Sequence, residues 1–156
     1  MKSFLTLILA LFVISLNAQT KYFESNIDET RADLREMAKE IVAQNVEMTP
    51  EQAEVFWPLF DEYDKKDHEL GDKEVGIIED YMLNYYAMDQ EEGSKILNDI
   101  MQLRIDRLNL EREYINKMNE VLPIIVVGKF YQVSRRLRLL IEAQKALKIP
   151  LLREPE

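Results

Sequence analysis

Between Met48 and Tyr63 the chain reads MTPEQAEVFWPLFDEY, and its first five residues specify where a helix starts. Thr49 suits the N-cap, because its hydroxyl can accept a bond from an orphan backbone N–H of the first turn. Pro50 then occupies the first helical position, where its missing N–H costs nothing and its fixed φ already suits a helix. Gln52 stands where a side chain can reach back to the backbone N–H of Thr49, completing a capping box. Met48 precedes the cap and can pack on Ala53 as a hydrophobic staple. Behind this start, Phe56, Leu59, Phe60 and Tyr63 recur at helical spacing on one face. Trp57 and Pro58 interrupt the pattern, and an interior proline removes one helical bond, so a kink is expected there.

The same period extends along the chain. A first helix is expected from Asp28 to Asn45, with Leu34, Met37, Ala38, Ile41 and Val42 as its apolar stripe. The second, from Pro50 toward Tyr86, carries Ile77, Ile78, Tyr81, Met82 and Tyr85 in its later part. Gly71 and Gly76 lie between, each costing up to ~1 kcal/mol in a helix, and predict a bend or break. Asp89 and Glu92 form a second cap signature, opening a third helix to about Leu122. That helix has two adjacent stripes: Ile96, Ile100, Leu103, Leu110 and Tyr114, and beside it Leu97, Met101, Leu108, Ile115 and Met118. Pro123 is expected at the first position of a fourth helix, whose stripe is Val126, Phe130, Val133, Leu137, Leu140 and Ile141. Pro150 ends it. Four amphipathic helices and no strand signal make the fold all-α.

The ends read differently. Lys2, the apolar run Phe4 to Leu16, and Ala18 have the layout of a cleavable secretory signal, so residues 1–18 are expected to be removed. A polar lead follows at 19–27, a single helical domain at 28–149, and a loose tail at 150–156. The expected location is the periplasm, and no Cys follows the signal to carry a lipid anchor. The chain is acidic, with a net charge of −9 that becomes −10 without Lys2. An acidic chain is unsuited to nucleic acid, where affinity comes from Lys and Arg. With 0 Cys, one His, no Gly-rich phosphate loop and no isolated carboxylate pair, the chain reads as a non-enzyme with no cofactor and no metal site.

The MTPEQ start and the aromatic run FWPLFDEY resemble the LTxxQ motif of the Spy/CpxP family of periplasmic stress proteins. Tyr114 to Arg138 is similar to the region of that family's second, here degenerate, motif, and the likeness spans roughly Arg31 to Leu147. The resemblance implies a bent, elongated helical bundle or cradle, dimerised, with two candidate roles. One is an ATP-independent chaperone shielding unfolded polypeptide in envelope stress. The other is a stress- or metal-responsive regulator of a membrane-bound signalling protein, such as a sensor kinase or an anti-sigma system. The best-known chaperone member has a basic cradle, and the metal-responsive members are His-rich; this chain is neither.

Charge is unevenly distributed. Residues 61–92 hold twelve Asp and Glu against Lys65, Lys66 and Lys73, while the fourth helix holds Lys129, Arg135, Arg136, Arg138, Lys145 and Lys148 against Glu142. Phe56, Trp57, Phe60, Phe130 and Tyr131, with Arg135, Arg136 and Arg138 at the edge, are the candidate client-binding residues. Aromatics at helical spacing are more often core, and the arginines are as well suited to pairing with the acidic second helix. His68 has Asp64, Glu69 and Asp72 within reach, but a borderline metal wants more N or S ligands, and a solvated His is the simpler reading. A homodimer is expected, because helices this few leave apolar surface to cover.

Overall fold

A computed structural model describes residues 37–152. The signal segment, the polar lead, the start of the first helix and residues 153–156 lie outside the described residues. The chain divides into two compact units, residues 1–44 and residues 45–156. The helix α1 (residues 37–45), all but its last residue in the first unit, reaches its expected end at Asn45, with Met37 exposed and Val42 buried. The second unit contains α2 (Pro50–Asn84), α3 (Gln90–Val121) and α4 (Ile124–Lys148), with no strand among the described residues. The fold is an all-α bundle.

The capping box forms as the sequence requires. Gln52 N–H donates to Thr49 Oγ1 at 3.3 Å, and Thr49 N–H donates to Gln52 Oε1 at 3.0 Å. Asp89 and Glu92 make the equivalent pair at the start of α3. Three local expectations change. First, of the bend or break expected at the glycines, the break is absent: α2 runs on through Pro58, Gly71 and Gly76. The penalty of roughly 1 kcal/mol for each glycine is small beside the burial of Leu70 and the pairing of Glu74 on the same stretch. Second, Pro123 is the N-cap of α4, and Ile124 its first residue. Leu122, which precedes the proline, is pushed to extended backbone, and Pro123 itself sits at φ −60, ψ 141. The Pro123 carbonyl nevertheless accepts from Val126 and Val127, so the turn is satisfied. Third, the tail is tied at its start: Tyr81 and Tyr85 hydroxyls donate to the carbonyls of Pro150 and Leu151 at 2.7 and 3.2 Å.

These contacts give the topology. Arg107 meets Glu74, and Tyr114 meets Glu62, so α3 is antiparallel to α2. Phe130 meets Phe56 and Tyr63, Arg138 meets Asp67, and Lys145 meets Glu74, so α4 runs parallel to α2. The apolar core gathers at one end of the three helices. It holds Phe56, Phe60 and Tyr63 of α2, Leu110, Tyr114 and Met118 of α3, and Val126, Val127 and Phe130 of α4. The Phe130 ring stands edge-on to Phe56, Phe60 and Tyr63, with centroids 5.5 to 6.0 Å away. Each such ring, fully buried, is worth about 1.5–3 kcal/mol. Past Leu70 on α2, before Leu103 on α3 and past Phe130 on α4, no described residue is fully buried.

Candidate partner-binding surface

The cap residues Thr49, Pro50 and Gln52 have the structural role expected of them, and Met48 before them is half-buried. The aromatic candidates separate. Phe56, Phe60 and Phe130 are at most 5% exposed and form the centre of the core, so no client reaches them in this fold. Trp57 is half-buried against Phe56 and Phe60, with ring centroids 5.1 and 5.5 Å away. Tyr131 is exposed. The reason is helical phase: Tyr131 points a quarter-turn and more away from Phe130, off the face that α4 turns to α2.

The arginines separate as well. Arg138 is held inward, its Nη2 donating to Tyr63 Oη at 2.9 Å and to Asp67 Oδ1 at 3.2 Å. It belongs to an ionic cluster that joins all three helices. Both Arg107 Nη atoms donate to Glu74 Oε2 at 3.1 Å. Arg107 Nε lies 3.3 Å from Asp67 Oδ1, a charge contact without hydrogen-bond alignment. Lys145 donates to Glu74 and to Glu142. Burial disfavours the Glu74 carboxylate, but the Lys145 bond and charge, with Arg107, overcome it and hold Glu74 below the ordinary range. Burial, aided by the Asp67 charge, pushes the Tyr63 phenol up to about 12 against the opposing pull of Arg138. Arg135 and Arg136 are exposed and make no ion pair or hydrogen bond among the described residues.

His68 Nδ1 lies 3.2 Å from Asp64 Oδ2. Among the described residues no group of three or more His, Asp or Glu is gathered as a metal site.

What the candidate list lacked is the outer face of α3. Of that helix's two stripes, one is core: Leu103, Leu110 and Tyr114 are buried, with Ile96 and Ile100 half-buried. The other divides: Met118 is buried at its end, while Leu97, Met101 and Leu108 are 51%, 57% and 64% exposed, with Ile105 beside them at 51%. Ile115 continues this line into a groove of about 420 Å³ between α3 and the start of α4. Leu108, Ile115, Ile124, Val127 and Tyr131 line it with apolar surface; Glu111, Arg112 and Asn119 stand at its walls. Gly128 forms part of the floor, and a Cβ there would meet nothing within 4 Å. Met101, Leu108 and Ile115 recur every seven residues, a periodicity already present in the sequence. Their outward direction is a tertiary fact. Soluble monomers seldom expose contiguous apolar surface without a use for it. Among the described residues, no helix is long and apolar enough to cross a membrane.

Comparison with protein-family models, with curated proteins and with solved structures finds no match to this chain.

Proposed function

We propose that this protein is an exported, ATP-independent polypeptide-binding chaperone of the Spy/CpxP type, which shields apolar segments of unfolded clients in envelope stress. The observation that carries the reading is the apolar line on the outer face of α3, from Leu97 through Leu108 into the groove at Ile124 and Tyr131. This is a binding role that needs neither catalysis nor a cofactor. The client surface is α3 and the start of α4, in place of Phe56, Phe60 and Phe130, which the core consumes. The LTxxQ-like start at Thr49 then serves the scaffold: it fixes α2, which supplies the core that holds α3 in place.

The test is suppression of aggregation of a chemically denatured client by the purified mature protein. Wild type is expected to suppress it at stoichiometric excess. Leu108→Glu and Met101→Glu, both at exposed positions, are expected to lose the effect while keeping the helical circular-dichroism spectrum. A wild-type protein that leaves aggregation unchanged at several-fold excess removes the chaperone reading and leaves the regulatory one. Export is checked separately: the N-terminus of protein recovered from the cell envelope is expected at or near Gln19.

A further inference from the structure

We infer that the outer face of α3 and its groove take a specific class of partner segment, an acidic amphipathic helix. The inference rests on reading that face as a partner-binding surface, and adds what the partner must look like.

Spacing argues for a helix. Leu97, Met101, Leu108 and Ile115 repeat with the three-and-four rhythm of a helix seam, and Leu97 to Ile115 spans roughly 27 Å at 1.5 Å per residue. A partner helix laid along this line meets an apolar side chain at every second turn. An extended strand, with a period of two, would match only some of them. At the far end the groove, lined there by Ile124, Gly128 and Tyr131, gives room for an anchoring side chain.

Charge argues for acid. Arg104 lies between Met101 and Leu108 on the same helical face, and Arg112 lies between Leu108 and Ile115. Arg135 follows Tyr131 by one turn on α4. Arg112 donates to the neutral Asn109 at 2.9 Å; Arg104 and Arg135 have no carboxylate partner among the described residues. Elsewhere in the unit, Arg107, Arg138, Lys145, Lys66, Lys117 and Lys129 are each within 4 Å of an acid. On a chain of net charge −9, three of the four described arginines without a carboxylate partner thus lie along or beside the exposed apolar line, Arg136 being the fourth. Glu111 is the one acid at the groove wall, and it lies toward Tyr63 and Arg138, whose titration it influences. A broad anionic bilayer meets the chain's whole net charge of −9, whereas a single helix meets only the local arginines, so a helix carrying carboxylates fits better than a lipid surface.

The experiment uses the full mature chain and three labelled peptides with leucines at seven-residue spacing. One carries Glu flanks, one carries Lys flanks, and one carries Glu flanks with two interior prolines. Fluorescence anisotropy reads binding, and circular dichroism reads induced helix. The Glu peptide is expected to bind about tenfold or more tighter than the Lys peptide at low salt, with helix gained and the gap narrowing as salt rises. The double variant Arg104→Glu with Arg112→Glu is expected to reverse the preference. Leu108→Glu is expected to abolish binding of both. Equal binding of the Glu and Lys peptides, or retained binding of the proline peptide, overturns the inference. If denatured client is still protected in that case, the chaperone reading survives it. Preferential binding to anionic phospholipid vesicles overturns it as well. So does a peptide-blind surface at which Leu108→Glu converts a dimer to a monomer, since a second copy would then be the occupant.

Discussion

At the scale of single residues, the start of α2 shows how little chain is needed to fix a boundary. Thr49 and Gln52 exchange bonds across exposed backbone, so their effect is local and separable from the core. Thr49→Ala is expected to cost about 0.5–2 kcal/mol in chemical denaturation, and Gln52→Ala less, because it removes one arm of the box. An unchanged midpoint in both would mean that the cap contributes nothing. Gly76 offers the opposite case. It lies inside α2, and a Cβ there would meet nothing within 4 Å. Gly76→Ala is therefore expected to stabilise by up to ~1 kcal/mol, read as a raised midpoint.

At the scale of elements, α4 is held in two ways. Its first turns are buried through Val126, Val127 and Phe130; its later turns hang on Arg138 and Lys145, seven residues apart, facing Asp67 and Glu74, also seven apart. Removing one member of such a group leaves the others charged and under-paired. Glu74→Gln is expected to cost about 3 kcal/mol at neutral pH, since Arg107 and Lys145 lose their shared acceptor. The pH dependence has a definite sign. The folded state holds the Glu74 carboxyl below its ordinary value, so this stabilisation is present above the ordinary carboxylate range. It is lost as pH falls through the depressed value, and the gap between wild type and Glu74→Gln is expected to close there. Tyr63 acts at the other extreme. Its phenol is pushed up to about 12, so the neutral form is favoured by folding. That contribution is complete below pH 10, the ordinary phenol value, and is lost as pH rises through about 12. A phenolate absorbance titration should show a late-titrating component that Tyr63→Phe removes.

At the scale of the whole molecule, the apolar surface exceeds what the core encloses. Besides the α3 line, Leu140 and Leu147 on α4 are 63% and 89% exposed and seven residues apart. A homodimer that covers this second line, leaving α3 to partners, is the expected state. Sedimentation of the mature protein should give twice the monomer mass, and the double variant Leu140→Glu with Leu147→Glu should give the monomer. A wild-type monomer at all concentrations removes the dimer.

The sequence by itself determined the described helices and the starts of α2 and α3. Periodicity, two capping boxes and the prolines at 50, 123 and 150 act within a few residues of themselves, so no tertiary contact is needed to read them. It also carried both stripes of α3 and the surplus of arginine on α4. Only the tertiary structure decided which stripe became core, because two neighbouring apolar faces on one helix are equivalent until a partner helix covers one. With Tyr63 closed on Tyr114 and Phe130 on Phe56, the Leu103 face is spent and Leu108 is left outside. The same closure drew Arg138 in toward Asp67 and left Arg135 and Arg136 exposed, a division that spacing along one helix does not contain, since it depends on where the acids of α2 come to lie.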